Sequence, residues 1–186
     1  MKTILIAVIS IFSITAISSQ EKSVDTQKST LHWDAQKVTG EHNGTISFKN
    51  GQLQYKNDEL TSATFVVDMT SITCSDIENE EYNKKLVGHL KSDDFFGVST
   101  YPTSKLVINK FSKTKNGYIA KGNLTIKNKT NPVEFEVTLV DKKLKGKLVV
   151  DRSLYDVKYG SGKYFDNLGD KMIYDEFELD FVVLAK

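Results

Sequence analysis

The sequence is short of the residues on which much protein chemistry depends. It has one cysteine, two prolines and three histidines among its 186 residues. A single cysteine excludes an intrachain disulfide. The sequence also lacks the HExxH, G-x-S-x-G and P-loop motifs, and no Cys–His cluster with metal-ligand spacing occurs along it. The common sequence signatures of a metalloprotease, a serine hydrolase and a nucleotide-binding protein are therefore missing.

An excess of charge of either sign is missing as well. The chain holds 25 Lys and Arg residues against 24 Asp and Glu residues, a formal net charge of +1. The first 19 residues contain Lys2 and no acidic residue, so their removal brings the formal charge to zero. A neutral chain gives no electrostatic reason to expect nucleic acid or an anionic membrane as a partner.

The longest apolar run lies at the N-terminus. Lys2 precedes residues 4–17, which are apolar apart from Ser and Thr, and small residues at positions 16–20 offer cleavage sites. The run is short for a membrane span, and no second apolar run follows it. We predict a signal peptide over residues 1–19, a periplasmic or secreted mature chain, and no integral membrane span.

The rest of the chain is predicted to be one domain. Residues 20–29 are polar and are predicted to be a disordered arm, whereas residues 30–186 are numerous enough to build a real hydrophobic core. Cys74 lies within that domain. The simplest interpretation is a partly buried small apolar residue, and a redox-active thiol is the alternative.

Alternation of apolar and polar residues dominates residues 30–186, and residues 60–70 and 133–139 show it most clearly. Asn-Gly, Asn-Asp and Asn-Pro pairs separate the alternating runs and predict turns, including a type I′ hairpin at Asn50-Gly51. The pattern predicts eight to ten antiparallel strands. The expected fold is all-β, an antiparallel barrel of about eight strands, with a β-sandwich as the alternative.

One segment departs from this alternation. Ser75 and Glu78 have the spacing of a capping box, which predicts that a helix begins there. Tyr82, Leu86 and Leu90 then recur every fourth residue and form one apolar stripe. The prediction is a helix inserted between strands.

Phe95 and Phe96 follow this helix in irregular chain. Two bulky apolar rings in a loop are costly to leave in water, so at least one of them is expected to pack into the barrel. Together, the helix and this loop are predicted to form a cover on one end of the β structure.

The apolar residues of the strands and of the cover are the candidate ligand contacts. Periodicity alone leaves open whether they fill the barrel or line a hollow interior. The predicted ligand-binding residues are Trp33, Phe48, Phe65, Val67, Met69, Leu86, Leu90, Phe95, Phe96, Leu124, Ile126, Phe135 and Phe177.

The polar candidates each have a structural interpretation beside a functional one. His89, Asp93 and Asp94 have the chemistry of a metal or acid–base cluster, but His89 also suits a helix C-terminus, and Asp residues suit a turn. His42 is interpreted as a turn residue. For Asp151-Arg152 the alternatives are a local ion pair and a ligand anchor.

Three blocks of sequence follow one another along the chain. They are residues 89–102 (HLKSDDFF followed by YP), residues 122–133 (GNLT followed by KTNPV) and residues 151–160 (DRS followed by YG). In order and spacing these blocks resemble the YceI-like family. A fourth similarity lies in Trp33, Lys37 and the His-Asn-Gly run at 42–44. The departures from the family pattern are Gly97, where an acidic residue is usual, and Asn128, where Gly is usual.

The resemblance implies a lipocalin-like antiparallel β-barrel that carries a polyisoprenoid or related lipid, and it brings no catalytic residues with it. The hypothesis is therefore a non-enzymatic carrier whose partner is an isoprenoid quinone or another long-chain lipid, with no cofactor. Two alternatives stay open: a structural or stress-response interaction module with a filled core, and a metal-dependent enzyme that uses His and Asp. The oligomeric state is also open, and a homodimer is among the states allowed.

Overall fold

The computed structural model describes residues 18–186, so the predicted signal peptide lies outside the described residues except for Ser18 and Ser19. One α-helix, α1 (Glu80–Lys91), interrupts an otherwise β chain. The strands are β1 (Ser19–Ser23), β2 (Thr30–Lys37), β3 (Gly40–Thr45), β4 (Ser47–Lys56), β5 (Glu59–Asp68), β6 (Thr103–Lys113), β7 (Tyr118–Ile126), β8 (Lys129–Val140), β9 (Lys143–Asp151) and β10 (Ile173–Leu184).

All ten strands form one antiparallel sheet in the order β1-β4-β5-β6-β7-β8-β9-β10-β2-β3. The chain passes from β3 to β4 through the single residue Ile46, which brings the two ends of the sheet together. The segment after β1 then joins the end of β10, because Val24 bridges Ala185 and Asp25 N–H donates to the Leu184 carbonyl at 2.8 Å. The sheet thereby curls into the predicted lipocalin-like antiparallel barrel.

The alternation along the strands explains this curvature. On β7, Ala120, Leu124 and Ile126 are buried, whereas Lys121 and Asn123 between them are exposed. Strand β5 agrees within two residues with the alternating run at residues 60–70, and the run at residues 133–139 lies within β8. Because successive side chains of a strand point to opposite faces, the alternation places the apolar face of each strand inside the barrel and the polar face in solvent.

The prediction of a hairpin at Asn50-Gly51 is wrong. Strand β4 continues through both residues, and its register against β5 shifts between Phe48 and Asn50, which is a β-bulge. Gly51 is required there by close packing, because a Cβ atom would lie 2.7 Å from Cγ2 of Val24. The Asn-Gly pair serves a bulge and a close contact instead of a turn.

The turn predicted at Asn131-Pro132 is also wrong, since both residues lie within β8. The turn falls earlier, at Lys127 and Asn128, whose φ angles are 48° and 57°. Asn adopts this left-handed conformation more readily than other non-Gly residues. Pro132 is tolerated in β8 because β8 pairs with β9 only over Val137–Val140, so no ladder hydrogen bond from residue 132 is needed on that side.

The N-terminal arm and His42 also differ from expectation. Residues 20–29 were expected to be disordered, but β1 pairs with β4 from Ser19 to Ser23, where it covers the backbone groups of a strand that would otherwise be an edge. His42 lies within β3 and not in a turn. With these two strands the sheet has ten strands, the upper end of the predicted range of eight to ten.

Two ends of the barrel differ in how they are filled. The closed end is built from apolar side chains that meet at the axis, and we define it by Leu53, Ala63, Ile108, Ala120, Val137 and Leu144, each at most 3% exposed. At the opposite, open end lies the cover, which comprises α1 and residues 92–102. Within residues 18–186, α1 has 12 residues, and no helix reaches the length and apolar character that crossing a membrane requires.

Candidate functional site

An apolar cavity of about 140 Å³ lies inside the barrel, between the closed end and the cover. Its wall comes from seven of the ten strands (β2, β4, β5, β6, β7, β9 and β10) and from Leu90, Phe95 and Phe96 of the cover. The volume is close to the ~150 Å³ of an engineered apolar cavity that stays dry and binds benzene. The barrel interior is therefore partly hollow, which periodicity alone left open.

Most of the predicted contacts line this cavity. Eleven of the 13 predicted residues belong to its wall, and the exceptions are Leu86 and Phe135. Leu86 is half-buried on α1, one turn before Leu90, which does reach the cavity. Phe135 packs in the core, where its ring meets that of Phe181 edge-on at 6.0 Å between centroids. The role of the lining residues as ligand contacts stays a prediction.

Several lining residues were missed, although the same alternation contains them. Leu179, Phe181 and Val183 share a strand face with the predicted Phe177, and Leu31 shares one with Trp33. All four line the cavity. Extending each predicted face along its whole strand would have found them, whereas no periodicity identifies Arg152, which is also in the wall.

The helix of the cover begins later than predicted. Asn79, and not Ser75, is its N-cap, because the Asn79 side chain accepts hydrogen bonds from the N–H groups of Glu81 at 3.0 Å and Tyr82 at 3.1 Å. Tyr82 is 64% exposed, so the first turn of the predicted stripe faces solvent. Contact with the barrel is made at the C-terminal end of α1, where Leu90 packs against the core.

The loop of the cover is held by aromatic contacts. Phe95 is buried, and its ring lies 5.4 Å from that of Tyr159, while Phe96 meets Phe177 of the barrel wall at 6.4 Å between centroids. Both predicted rings therefore pack inward, which satisfies the expectation that at least one of them does. Nζ of Lys127, in the turn between β7 and β8, also donates to the Phe95 carbonyl at 2.9 Å. Because side-chain contacts and not a strand ladder hold this loop on the barrel, the cover is the less constrained part of the cavity wall.

His89 takes part in this aromatic cluster. Its ring lies edge-on between Phe95 at 4.9 Å and Tyr159 at 4.5 Å, and Nε2 is 3.7 Å from Oδ2 of Asp94. The helix ends at Lys91, two residues after His89, but the His89 carbonyl and not its ring takes part in the cap, since it accepts from Ser92 N–H. Within the described part of the chain, His89, Asp93 and Asp94 do not form a group with converging metal ligands.

Arg152 is the one fully buried cation of the cavity wall among residues 18–186, at 4% exposure. Its guanidinium donates to the carbonyls of Val157 at 2.9 Å, Ile173 at 3.0 Å and Tyr174 at 3.1 Å. Burial lowers the pKa of the guanidinium, while Asp175, 3.6 Å away, acts in the opposite direction. These bonds fasten the loop after β9 to the start of β10 at the open end.

Asp151 and Arg152 do not form the local ion pair that was predicted. Asp151 instead accepts from Ser153 N–H at 2.9 Å and from Nζ of Lys163 at 2.6 Å. Burial opposes ionisation of this carboxyl, but the hydrogen bonds from Lys163 and Ser153 outweigh it, so the pKa of Asp151 is lowered. Adjacent residues in a turn project in different directions, and each has found a partner further along the chain.

The fold and the cavity define an antiparallel barrel with an apolar interior beneath a helix-and-loop cover. A sequence model described as the YceI-like domain matches residues 23–185, nearly all of the described chain. The chain belongs to the YceI-like family, which confirms the resemblance in its sequence blocks. No curated protein sequence matches it.

Solved structures share this fold. Burkholderia cenocepacia BcnA is 24% identical with a TM-score of 0.70, over 88% of this chain and 99% of that one. A polyisoprenoid binding domain from Saccharophagus degradans is 15% identical with a TM-score of 0.59, over 89% and 97%. A Campylobacter jejuni YCEI protein is 17% identical with a TM-score of 0.51, over 99% and 93%. At these identities the likeness establishes the fold alone.

Proposed function

We propose that this protein is a non-enzymatic carrier that binds the apolar chain of an isoprenoid quinone or another long-chain lipid, in the periplasm or outside the cell. The observation that carries the proposal is the cavity, to whose wall seven of the ten strands contribute apolar side chains. Membership of the YceI-like family and the polyisoprenoid binding domain among its structural relatives support the same ligand class. The predicted signal peptide supports the compartment.

Burial of a lipid chain supplies enough free energy without a charged contact. Each buried CH₂ contributes about 0.8 kcal/mol, so one five-carbon isoprene unit contributes about 3–4 kcal/mol. Association costs several kcal/mol, which one or two units offset. This energetic balance suits a chain without excess charge of either sign.

The polar groups of the wall orient the ligand. Arg152, Lys105 and Ser104 line the cavity near the open end, where β6 and the start of β10 meet the cover. The closed end contributes apolar side chains only. A lipid would therefore enter tail first, and its head group would stay near Arg152 and Ser104, because placing a polar group at the closed end leaves it without hydrogen-bond partners.

The cavity in this structure has room for about one isoprene unit, judged by the ~150 Å³ cavity that binds benzene. A longer chain requires the cover to move outward, so that the space filled by Leu90, Phe95 and Phe96 becomes available. The aromatic contacts of the cover are the ones that this movement breaks. Binding is therefore expected to change the cover and to leave the closed end unchanged.

Lipid extraction tests the proposal. The mature protein is purified without detergent, extracted with organic solvent and analysed by mass spectrometry, and the delipidated protein is then offered isoprenoid quinone and fatty acid. We expect about one long-chain lipid per chain in the first sample and saturable uptake in the second. An empty protein that takes up neither lipid would contradict a carrier function.

A further inference from the structure

Three side chains with metal-binding atoms meet outside the cavity, at the edge strand β3. They are His42 of β3 and Cys74 and Asp76 of the segment between the 3-10 helix Met69–Ser71 and α1. One ring nitrogen of His42, the Cys74 sulfur and one Asp76 carboxylate oxygen all lie within 4.8 Å of one another. No part of the proposed carrier function uses this cluster.

The atoms are already close to the spacing that a metal requires. Nδ1 of His42 lies 2.8 Å from Oδ2 of Asp76, and Sγ of Cys74 lies 3.3 Å from Oδ1 of the same carboxylate. Nitrogen, oxygen and sulfur ligands at about 2.0–2.3 Å from a tetrahedral zinc ion are about 3.3–3.5 Å apart. The nitrogen–oxygen pair therefore has to separate by about half an ångström, and the His42 nitrogen and Sγ of Cys74, which lie within 4.8 Å of each other, have to reach a separation of about 3.5 Å.

The backbone holds the two segments together. Thr73 N–H donates to the Thr45 carbonyl at 3.0 Å, and Ser75 N–H donates to the Asn43 carbonyl at 2.8 Å, so the segment pairs with the edge of β3 on both sides of Cys74. A Cβ atom on Gly44 would lie 2.0 Å from the Thr73 carbonyl oxygen. Only glycine allows this close approach at position 44. The backbone that carries the three metal-binding side chains is therefore held in place before any metal binds.

The side chains leave one side of the cluster open to solvent. The side chain of His42 is 31% exposed and that of Asp76 is 26% exposed, whereas Cys74 is buried at 8%. A metal ion can therefore approach from the His42 and Asp76 side and keep a water molecule in its fourth position. Three protein ligands and one water is the arrangement of open zinc sites.

We propose that His42, Cys74 and Asp76 form a binding site for one Zn²⁺ ion. Thiolate and imidazole ligands favour zinc over magnesium or calcium, which prefer oxygen ligands. Binding forms the Zn–S, Zn–N and Zn–O bonds, breaks the hydrogen bonds that Asp76 accepts from His42 and Cys74, and releases the thiol proton of Cys74 to solvent. The His42 imidazole stays neutral, because Nδ1 gives up its proton to solvent as Nε2 takes one up and so frees Nδ1 for the metal.

Cobalt titration of the reduced, chelator-treated full-length mature protein tests the site, because Co²⁺ replaces Zn²⁺ and is coloured. We expect one Co²⁺ per chain, visible bands of tetrahedral cobalt, a near-ultraviolet charge-transfer band from the thiolate, and loss of all of them when Zn²⁺ is added. Zn²⁺ should also protect Cys74 of the unaltered protein from alkylation under mild denaturation.

Matched variants separate this site from adventitious binding. Cys74→Ser should abolish the charge-transfer band, and Asp76→Asn and His42→Ala should each weaken Co²⁺ binding by at least about tenfold, the loss caused even by outer-shell partners. His32→Ala, at an exposed histidine of β2, should leave binding unchanged. Circular dichroism establishes that each variant is folded.

The proposal fails if the unaltered protein shows no thiolate band and Zn²⁺ does not slow alkylation of Cys74. It also fails if His32→Ala weakens binding as much as His42→Ala does. Both readouts are made without lipid, so their outcome is separate from that of the carrier proposal.

Discussion

The closed end and the open end of the barrel are built from the same strands but are filled differently. On β6, Ile108 is 1% exposed and packs at the closed end, whereas Leu106, two residues earlier on the same face, lines the cavity. On β7, Ala120 belongs to the closed end and Leu124 to the cavity wall. The difference shows that one alternating face of a strand can supply both a packed core and the wall of an apolar cavity.

Truncation at the two ends should have unequal effects, and this is the largest difference that we expect. Ile108→Ala should reduce the free energy of unfolding by about 2–5 kcal/mol, because it leaves a cavity in a close-packed core. Leu106→Ala should cost less, since its side chain already faces empty space and has fewer contacts to lose. Urea unfolding of both variants measures the difference. Equal losses would show that the two ends are packed alike.

Filling the cavity at the open end should have a large effect on lipid binding and a small effect on the free energy of unfolding, the opposite of what truncation at the closed end should do. Val67→Trp places a large side chain in the cavity wall, so the amount of lipid retained per chain should fall by at least about tenfold. Val66→Trp, next to it on β5 and outside the wall, is the matched control. Mass spectrometry of lipid extracts measures both. Similar retention by the two variants would place the ligand elsewhere.

Weakening the cover should affect the open end alone. Asn79→Ala removes the N-cap of α1 and should cost about 1 kcal/mol, measured as faster hydrogen exchange of α1 amides. Strands of the closed end should exchange at unchanged rates. Ser75→Ala removes the residue that the sequence predicted as the cap, and it should leave exchange within error of the unaltered protein. Protection lost at Ser75→Ala would restore the predicted capping box.

Acid should weaken the open end by protonating Asp151, and this is the smallest of the effects that we expect. The pKa of Asp151 is lowered in the folded state, so its contribution to stability is present above the unfolded pKa of about 3.9 and is lost as the pH falls through the folded value. Thermal unfolding from about pH 6 to pH 2 should therefore show a steeper decline for the unaltered protein than for Asp151→Asn. Lys163→Met, which removes the hydrogen-bond partner of Asp151, should also flatten the decline. Identical slopes in all three proteins would contradict this role.

The sequence predicted most of the strands because their alternation is local information. Two turns were misplaced, for reasons that are not local. Gly51 packs closely against Val24, which is far from it in sequence. Pro132 is tolerated within β8 because β8 pairs with β9 only further along the strand. The same limit applies to the helix, where Asn79 and not Ser75 became the cap. Periodicity does not predict which residues far apart in the sequence will contact each other in the fold.

In the candidate site, too, local alternation predicted some residues, whereas contacts between distant parts of the chain determined others. Alternating residues such as Phe65 and Phe177 were predicted and line the cavity, because alternation identifies an inward face. Arg152 was seen in the sequence as half of a local ion pair, yet its partners are carbonyls of residues 157, 173 and 174. His42, Cys74 and Asp76 are more than 30 residues apart at their extremes, so only the pairing of β3 with the segment before α1 brings them together.

Binding of a lipid chain in the cavity can be measured directly by the fluorescence of Trp33, since Trp33 is the single tryptophan of the chain and lines the cavity. Delipidated protein is titrated with a long-chain isoprenoid quinone while tryptophan fluorescence is recorded, and the tailless quinone head group serves as the control for collisional quenching. The account predicts quenching that saturates at one long-chain quinone per chain and is absent with the tailless compound at the same concentration. Quenching that rises linearly and equally with both compounds would contradict the claim that the cavity holds a lipid chain.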